Sequence, residues 1–138
     1  MTGTRVLVVD DNRAIADTVA VLVRHLGHHC TSAYDGRTAM HLVNDLRPDV
    51  IFLDLKMPGM DGFAVARALR KGGCTAKIFA ITGFGQSVFA ELPRDAGFDG
   101  VLQKPATAEQ IAQIVTANVS EGWWHHRAPS ANDPVSNS

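Results

Sequence analysis

Two stretches of the sequence, "RVLVV" (Arg5 to Val9) and "VIFL" (Val50 to Leu53), are apolar with scarcely a break and rich in β-branched residues. A strand with one face in water alternates apolar and polar side chains. One that reads apolar throughout is covered on both faces, as in a parallel sheet layered between helices. "KIFAI" (Lys77 to Ile81) and the shorter "GVL" (Gly100 to Leu102) carry the same signature, while "HHCTSA" (His28 to Ala33) is weaker, as an edge strand would be. The segments between these runs have a helical period. Ile15, Val19, Leu22 and Leu26 step by four, three and four, predicting one apolar stripe on a helix that Gly27 closes. A second helix is expected after Asp35-Gly36, ending before Pro48, and a third from near Asp61 to Gly72-Gly73. A last one opens on Thr107, which makes a capping-box pattern with Gln110 and turns Ile111, Ile114 and Val115 inward. Between Gln86 and Ala96 a fourth helix is expected, kinked at or beginning from Pro93, and this segment is predicted to be mobile. The sum is an α/β fold, a single-domain (βα)5 doubly wound parallel sheet.

Size and charge limit what such a domain does. With 138 residues, 46% of them hydrophobic and 20% charged, the chain suits one core. Thirteen Lys and Arg against fourteen Asp and Glu leave a formal charge of −1, so no basic field exists to draw nucleic acid directly. Two cysteines, Cys30 and Cys74, are too few for a disulfide framework and read as reduced. The N-terminus lacks the pattern of a signal peptide, and no apolar run approaches the roughly 18 to 20 residues of a membrane span. A cytoplasmic protein without membrane insertion is the expectation. Residues 1–118 are expected to form the domain, and residues 119–138, dense in Pro, Ser and Asn, a disordered or extended tail. Adjacent histidines (His28-His29, His125-His126) point to opposite sides of an extended chain and make poor shared metal ligands. Trp123-Trp124 reads either as an anchor for a partner or as a contact with the last helix.

In open α/β sheets, ligands collect beyond the carboxyl ends of the strands. Asp10 and Asp11 follow the first strand, Asp54 the third, Thr82 the fourth and Lys104 the fifth. Like charges placed side by side raise each other's pKa unless a cation stands between them. Clustered carboxylates without His or Cys suit Mg²⁺, and an ammonium and a hydroxyl beside them complete a set fit for phosphoryl transfer. Asp54, flanked by Leu53 and Leu55, is the candidate nucleophile.

The four segments "VLVVDDN", "VIFLDLKMPGMDG", "AITG" and "LQKP" together resemble the signatures of response-regulator receiver domains over about Arg5 to Asn118. The stretch "AITGFGQ…AGFDGVLQKP" resembles receivers associated with hybrid sensor kinases. The resemblance implies a flavodoxin-like strand order, 2-1-3-4-5, and a two-component signalling role. Asp54 would accept a phosphoryl group from a histidine kinase or phosphotransfer protein. Asp10, Asp11, Asp54 and the backbone carbonyl of Lys56 would hold Mg²⁺, Asp11 directly and Asp10 mainly through water. Thr82 and Lys104 would bind the phosphoryl oxygens, and Pro105 would follow a cis peptide bond. The domain would be a stoichiometric phospho-acceptor that catalyses its own phosphorylation and dephosphorylation, then binds a downstream protein or relays the group. Two positions depart from the pattern. Many receivers carry an aromatic switch residue where Val101 stands, and Phe where Ala106 stands. Phe84, two residues after Thr82, is expected to slow acyl-phosphate hydrolysis by obstructing water. The rival readings are a haloacid-dehalogenase-like Mg²⁺-dependent phosphatase, whose "DxDxT" is replaced by "DDNRA", and a degenerate receiver that only binds partners.

Overall fold

A computed structural model describes residues 3–59, 61–83 and 97–120. Along the chain these form β1 (Arg5–Val9), α1 (Arg13–His25), β2 (His29–Ala33), α2 (Gly36–Leu46) and β3 (Val50–Asp54). Then come α3 (Gly62–Lys71), β4 (Lys77–Thr82), β5 (Gly100–Gln103) and α4 (Ala108–Ser120). The helix expected between Gln86 and Ala96, Phe84 and residues 121–138 lie outside the described residues. All five strands are parallel, in the order β2-β1-β3-β4-β5. β2, the weakest of the strand patterns, is indeed at an edge.

The unbroken apolar runs are explained by where alternate side chains go. Val6 and Val8 of β1, Phe52 of β3, and Phe79 and Ile81 of β4 pack with α1 and α4 on one face. Leu7, Val9, Ile51, Leu53 and Ile78 pack with α2 and α3 on the other. With both faces dry, neither set of alternating positions tolerates a polar residue.

Helix starts follow from short polar side chains. Asn12, Asp35 and Asp61 accept the amides of Ile15, Thr38 and Ala64 at 3.1, 2.7 and 2.7 Å. At α4 the capping box closes reciprocally. Gln110 N–H donates to Thr107 Oγ1 and Thr107 N–H to Gln110 Oε1, both at 3.0 Å. α4 runs to Ser120, two residues past the expected domain boundary.

The α1 stripe needs correction. Ala16, Val19, Ala20 and Val23 form its buried wall, Ile15 and Leu22 are half-buried, and Leu26 is 38% exposed. Small alanines let the helix lie close to the sheet, and its larger aliphatics flank the contact.

The amino edge of the sheet is closed by hydrogen bonds. Asp49 accepts the Arg5 amide at 2.9 Å, and Asp99 accepts the Ile78 amide at 2.8 Å. Arg70, from the last turn of α3, donates to Gly97 O twice, to Cys74 O, to Ala76 O and to Asp99 Oδ2, at 2.7–3.0 Å. His28 also serves structure, its Nδ1 accepting the Thr4 amide at 2.8 Å.

Candidate functional site

The carboxyl edge is built differently. Asp10 follows β1, Asp54 is the last residue of β3 and Thr82 the last of β4, so strand register alone brings them to one rim. All three are buried, with Asp10 at 1% and Asp54 at 4% exposure, while Asp11 faces solvent. One carboxylate oxygen from each of Asp10, Asp11 and Asp54 lies within 4.8 Å of the others. Residue type and local sequence do not distinguish Asp10 from Asp11; only the resemblance gave them different tasks. Only the fold separates the buried one from the exposed one.

Local backbone geometry holds this rim open. Asp10 N–H donates to Ala33 O at 3.0 Å. Its Oδ1 accepts the Asn12 amide at 2.9 Å, which turns the chain into α1. Asp54 Oδ1 accepts the Lys56 amide at 3.2 Å, starting the loop through Pro58 and Gly59. That loop returns to α3 at Gly62, whose amide donates to Leu55 O at 2.9 Å. A Cβ on Gly62 would collide with the Asp54 carbonyl oxygen and come within 2.7 Å of Leu55 Cα. Glycine is required there because the helix leans directly on the strand that carries Asp54.

Lys104 is the cation the acids demand. Its Nζ lies 3.3 Å from Asp10 Oδ2 and 3.4 Å from Asp54 Oδ1. Its amide donates to Thr82 O at 2.7 Å, so Lys104 and Thr82 are placed as one unit. The Lys104–Pro105 bond is cis, as expected from the resemblance. Among the described residues, this one ammonium does not balance the three carboxylates of Asp10, Asp11 and Asp54. Burial pushes the Asp54 carboxyl up to about 6; Asp10 adds to the rise, while the Lys56 amide and Lys104 oppose it. Among the described residues Asp10 Oδ2, which is buried, has no hydrogen-bond partner, since the Lys104 contact has ion-pair distance but not hydrogen-bond geometry. A buried anionic oxygen without a donor is a ready ligand for a hard cation, and the donor set, carboxylates without His or Cys, fits Mg²⁺.

Of the other singled-out residues, Val101 is half-buried in β5, and Ala106 packs against the α1–α4 side of the core. Cys30 is a free, buried thiol, and burial pushes it up to about 12, leaving it inert.

A doubly wound parallel sheet with an acidic pocket and a cis-proline lysine at its carboxyl edge defines a class, the aspartate-pocket signalling domains of two-component systems. The chain belongs to the response regulator receiver domain family, whose model matches residues 6–116. It is 36% identical over 115 residues to the DNA-binding dual master transcriptional regulator RpaA of Synechocystis sp., covering 82% of this chain and 48% of that protein. It is likewise 36% identical over 107 residues to the response regulator MprA of Mycolicibacterium vanbaalenii, covering 78% and 46%. The chain thus spans about half the length of the curated relatives it matches. Among solved structures, the receiver domain of Francisella response regulator 1452 aligns with a TM-score of 0.78 at 27% identity, over 87% of this chain and 99% of that one. The chemotaxis response regulator CheY4 of Vibrio cholerae aligns at 0.77 and 28%, over 85% and 99%. The domain is a phosphorylation-activated signalling switch.

Proposed function

We propose that Asp54 is the phospho-acceptor of this switch, taking its phosphoryl group from a histidine kinase or phosphotransfer protein. The observation that carries this reading is the buried Asp54 carboxylate facing Lys104 at 3.4 Å, with the donor-free Asp10 oxygen beside it. Asp54 Oδ1 is engaged by the Lys56 amide and Lys104, which supports Oδ2 as the nucleophile in this reading. The new O–P bond forms as the N–P bond of the donor's phosphohistidine breaks, and the leaving imidazole nitrogen keeps the electron pair and takes up a proton. Lys104 then exchanges its contact with Asp54 for one with a phosphoryl oxygen, and the Thr82 hydroxyl donates to another. Asp10, Asp11, Asp54 and the Lys56 carbonyl would hold Mg²⁺, which supplies charge neutralisation for the incoming phosphoryl oxygens. Hydrolysis by the same groups, with water attacking phosphorus, returns the carboxylate and makes the modification transient.

Phosphorylation adds roughly −1.5 to −2 charge to a rim where Thr82 and Lys104 are already linked through the main chain. Their movement carries β4 and β5 with them. With Val101 in place of an aromatic, the output surface does not use ring rotation at that position. RpaA is named as DNA-binding, but this chain's near-neutral charge favours a protein partner for the receiver.

The test is mass spectrometry after incubation with Mg²⁺ and acetyl phosphate. Wild type gains one phosphoryl group, on the peptide containing Asp54, and Asp54→Asn gains none. Modification of the Asn variant would remove Asp54 from the role.

A further inference from the structure

Beside the acidic pocket stands a second charged cluster that the phosphoryl chemistry does not use. Arg13 is the first residue of α1, exposed, and two positions after Asp11. Its guanidinium carbon sits 4.1 Å from the centroid of the Tyr34 ring. Tyr34 directly follows Ala33, whose carbonyl accepts the Asp10 amide, so the ring stands at the same rim as the acids. The Tyr34 hydroxyl donates to Asp17 Oδ1 at 2.6 Å, and Asp17 also raises the phenol's pKa, keeping it protonated. Asp17 lies one helical turn from Arg13, where the two would ordinarily pair. Among the described residues no such ion pair forms, because Tyr34 takes both partners, one with its face and one with its hydroxyl.

A long cation two residues from Asp11 is a natural competitor for the Asp10–Asp11–Asp54 pocket, where among the described residues three carboxylates meet the Lys104 ammonium. We infer that Tyr34 is a positioning residue that parks the Arg13 guanidinium away from the acidic pocket, leaving its carboxylates open to a divalent cation. This rests on the metal reading proposed above. A stacked guanidinium gives up its hold on the ring only for a better anionic partner, so the stack sets how often Arg13 visits the pocket. Tyr34 thereby tunes cation affinity from outside the ligand set.

The experiment is calorimetric titration of the full chain with Mg²⁺ alone. In Tyr34→Leu/Asp17→Asn, which removes both the ring face and the carboxylate one turn on that would otherwise pair with the freed guanidinium, Mg²⁺ affinity falls roughly two- to fivefold. Arg13→Gln introduced into that background restores it, because the competing charge is gone. Tyr34→Phe, which keeps the ring under Arg13, binds within about twofold of wild type. Unchanged affinity in Tyr34→Leu/Asp17→Asn, with its melting temperature preserved, overturns the inference. So does a loss that persists after Arg13→Gln, since that would mark Tyr34 as a merely structural brace. Failure of wild type itself to bind Mg²⁺ would instead overturn the metal assignment, and the inference with it.

Discussion

The two edges of the same sheet solve opposite problems. At the amino edge Asp49 and Asp99 both accept hydrogen bonds. Both cap strand amides, and Arg70 spreads five hydrogen bonds over three carbonyls and Asp99. Among the described residues of the carboxyl edge, Lys104 is the ammonium paired with the carboxylates of Asp10 and Asp54, with Asp11 beside them, one buried oxygen has no hydrogen-bond donor, and Asp54 is pushed up to about 6. The strands between are equally well buried, so packing does not account for the difference. One edge holds the domain together. The other keeps its charges incompletely paired so that a cation and a phosphoryl group have a place to bind.

Breaking the amino edge gives the largest effect on stability. Arg70→Ala strands several partly buried carbonyls and one carboxylate, and is expected to cost about 3 kcal/mol in denaturant unfolding. The carboxyl edge responds with the opposite sign. The folded Asp54 carboxyl titrates near 6 and an unfolded one near 3.8, so between those values the native state binds more protons. Wild-type stability therefore falls as pH rises through that window, and the penalty is complete above it. In metal-free buffer at pH 7.5, Asp54→Asn is expected to be more stable than wild type by on the order of 2 kcal/mol. Below about pH 4 that gap closes, because the carboxyl is neutral in both states. The smallest effect belongs to a site common to neither edge's chemistry. Thr107→Ala removes half the α4 capping box and should cost about 1 kcal/mol by thermal melting, without altering phosphorylation at Asp54.

The contrast between edges was only half visible in the sequence. Apolar runs ending in Asp10, Asp54 and Thr82 mark the carboxyl edge, because side chains of special chemistry stand at strand ends. Period and caps marked α2, α3 and α4 for the same local reasons. Arg70 carried no such mark, since its partners are mainly carbonyls, which every residue possesses. Tyr34 and Arg13 escaped notice because their pairing joins the first residue of α1 to the loop after β2, distant in sequence. The α1 stripe was misassigned because periodicity counts large aliphatics, whereas close approach to the sheet selected Ala16 and Ala20.

The central claim is that the acidic rim gives up stability in return for cation binding, and one comparison tests it. Melting temperatures of wild type and Asp54→Asn should be followed at pH 7.5 as Mg²⁺ is added. The variant should start higher. Wild type, gaining about 2.7 kcal/mol at a hundredfold excess over its Kd, should overtake it because the variant has lost a ligand. Curves that never cross, or a wild type indifferent to Mg²⁺, would contradict the account.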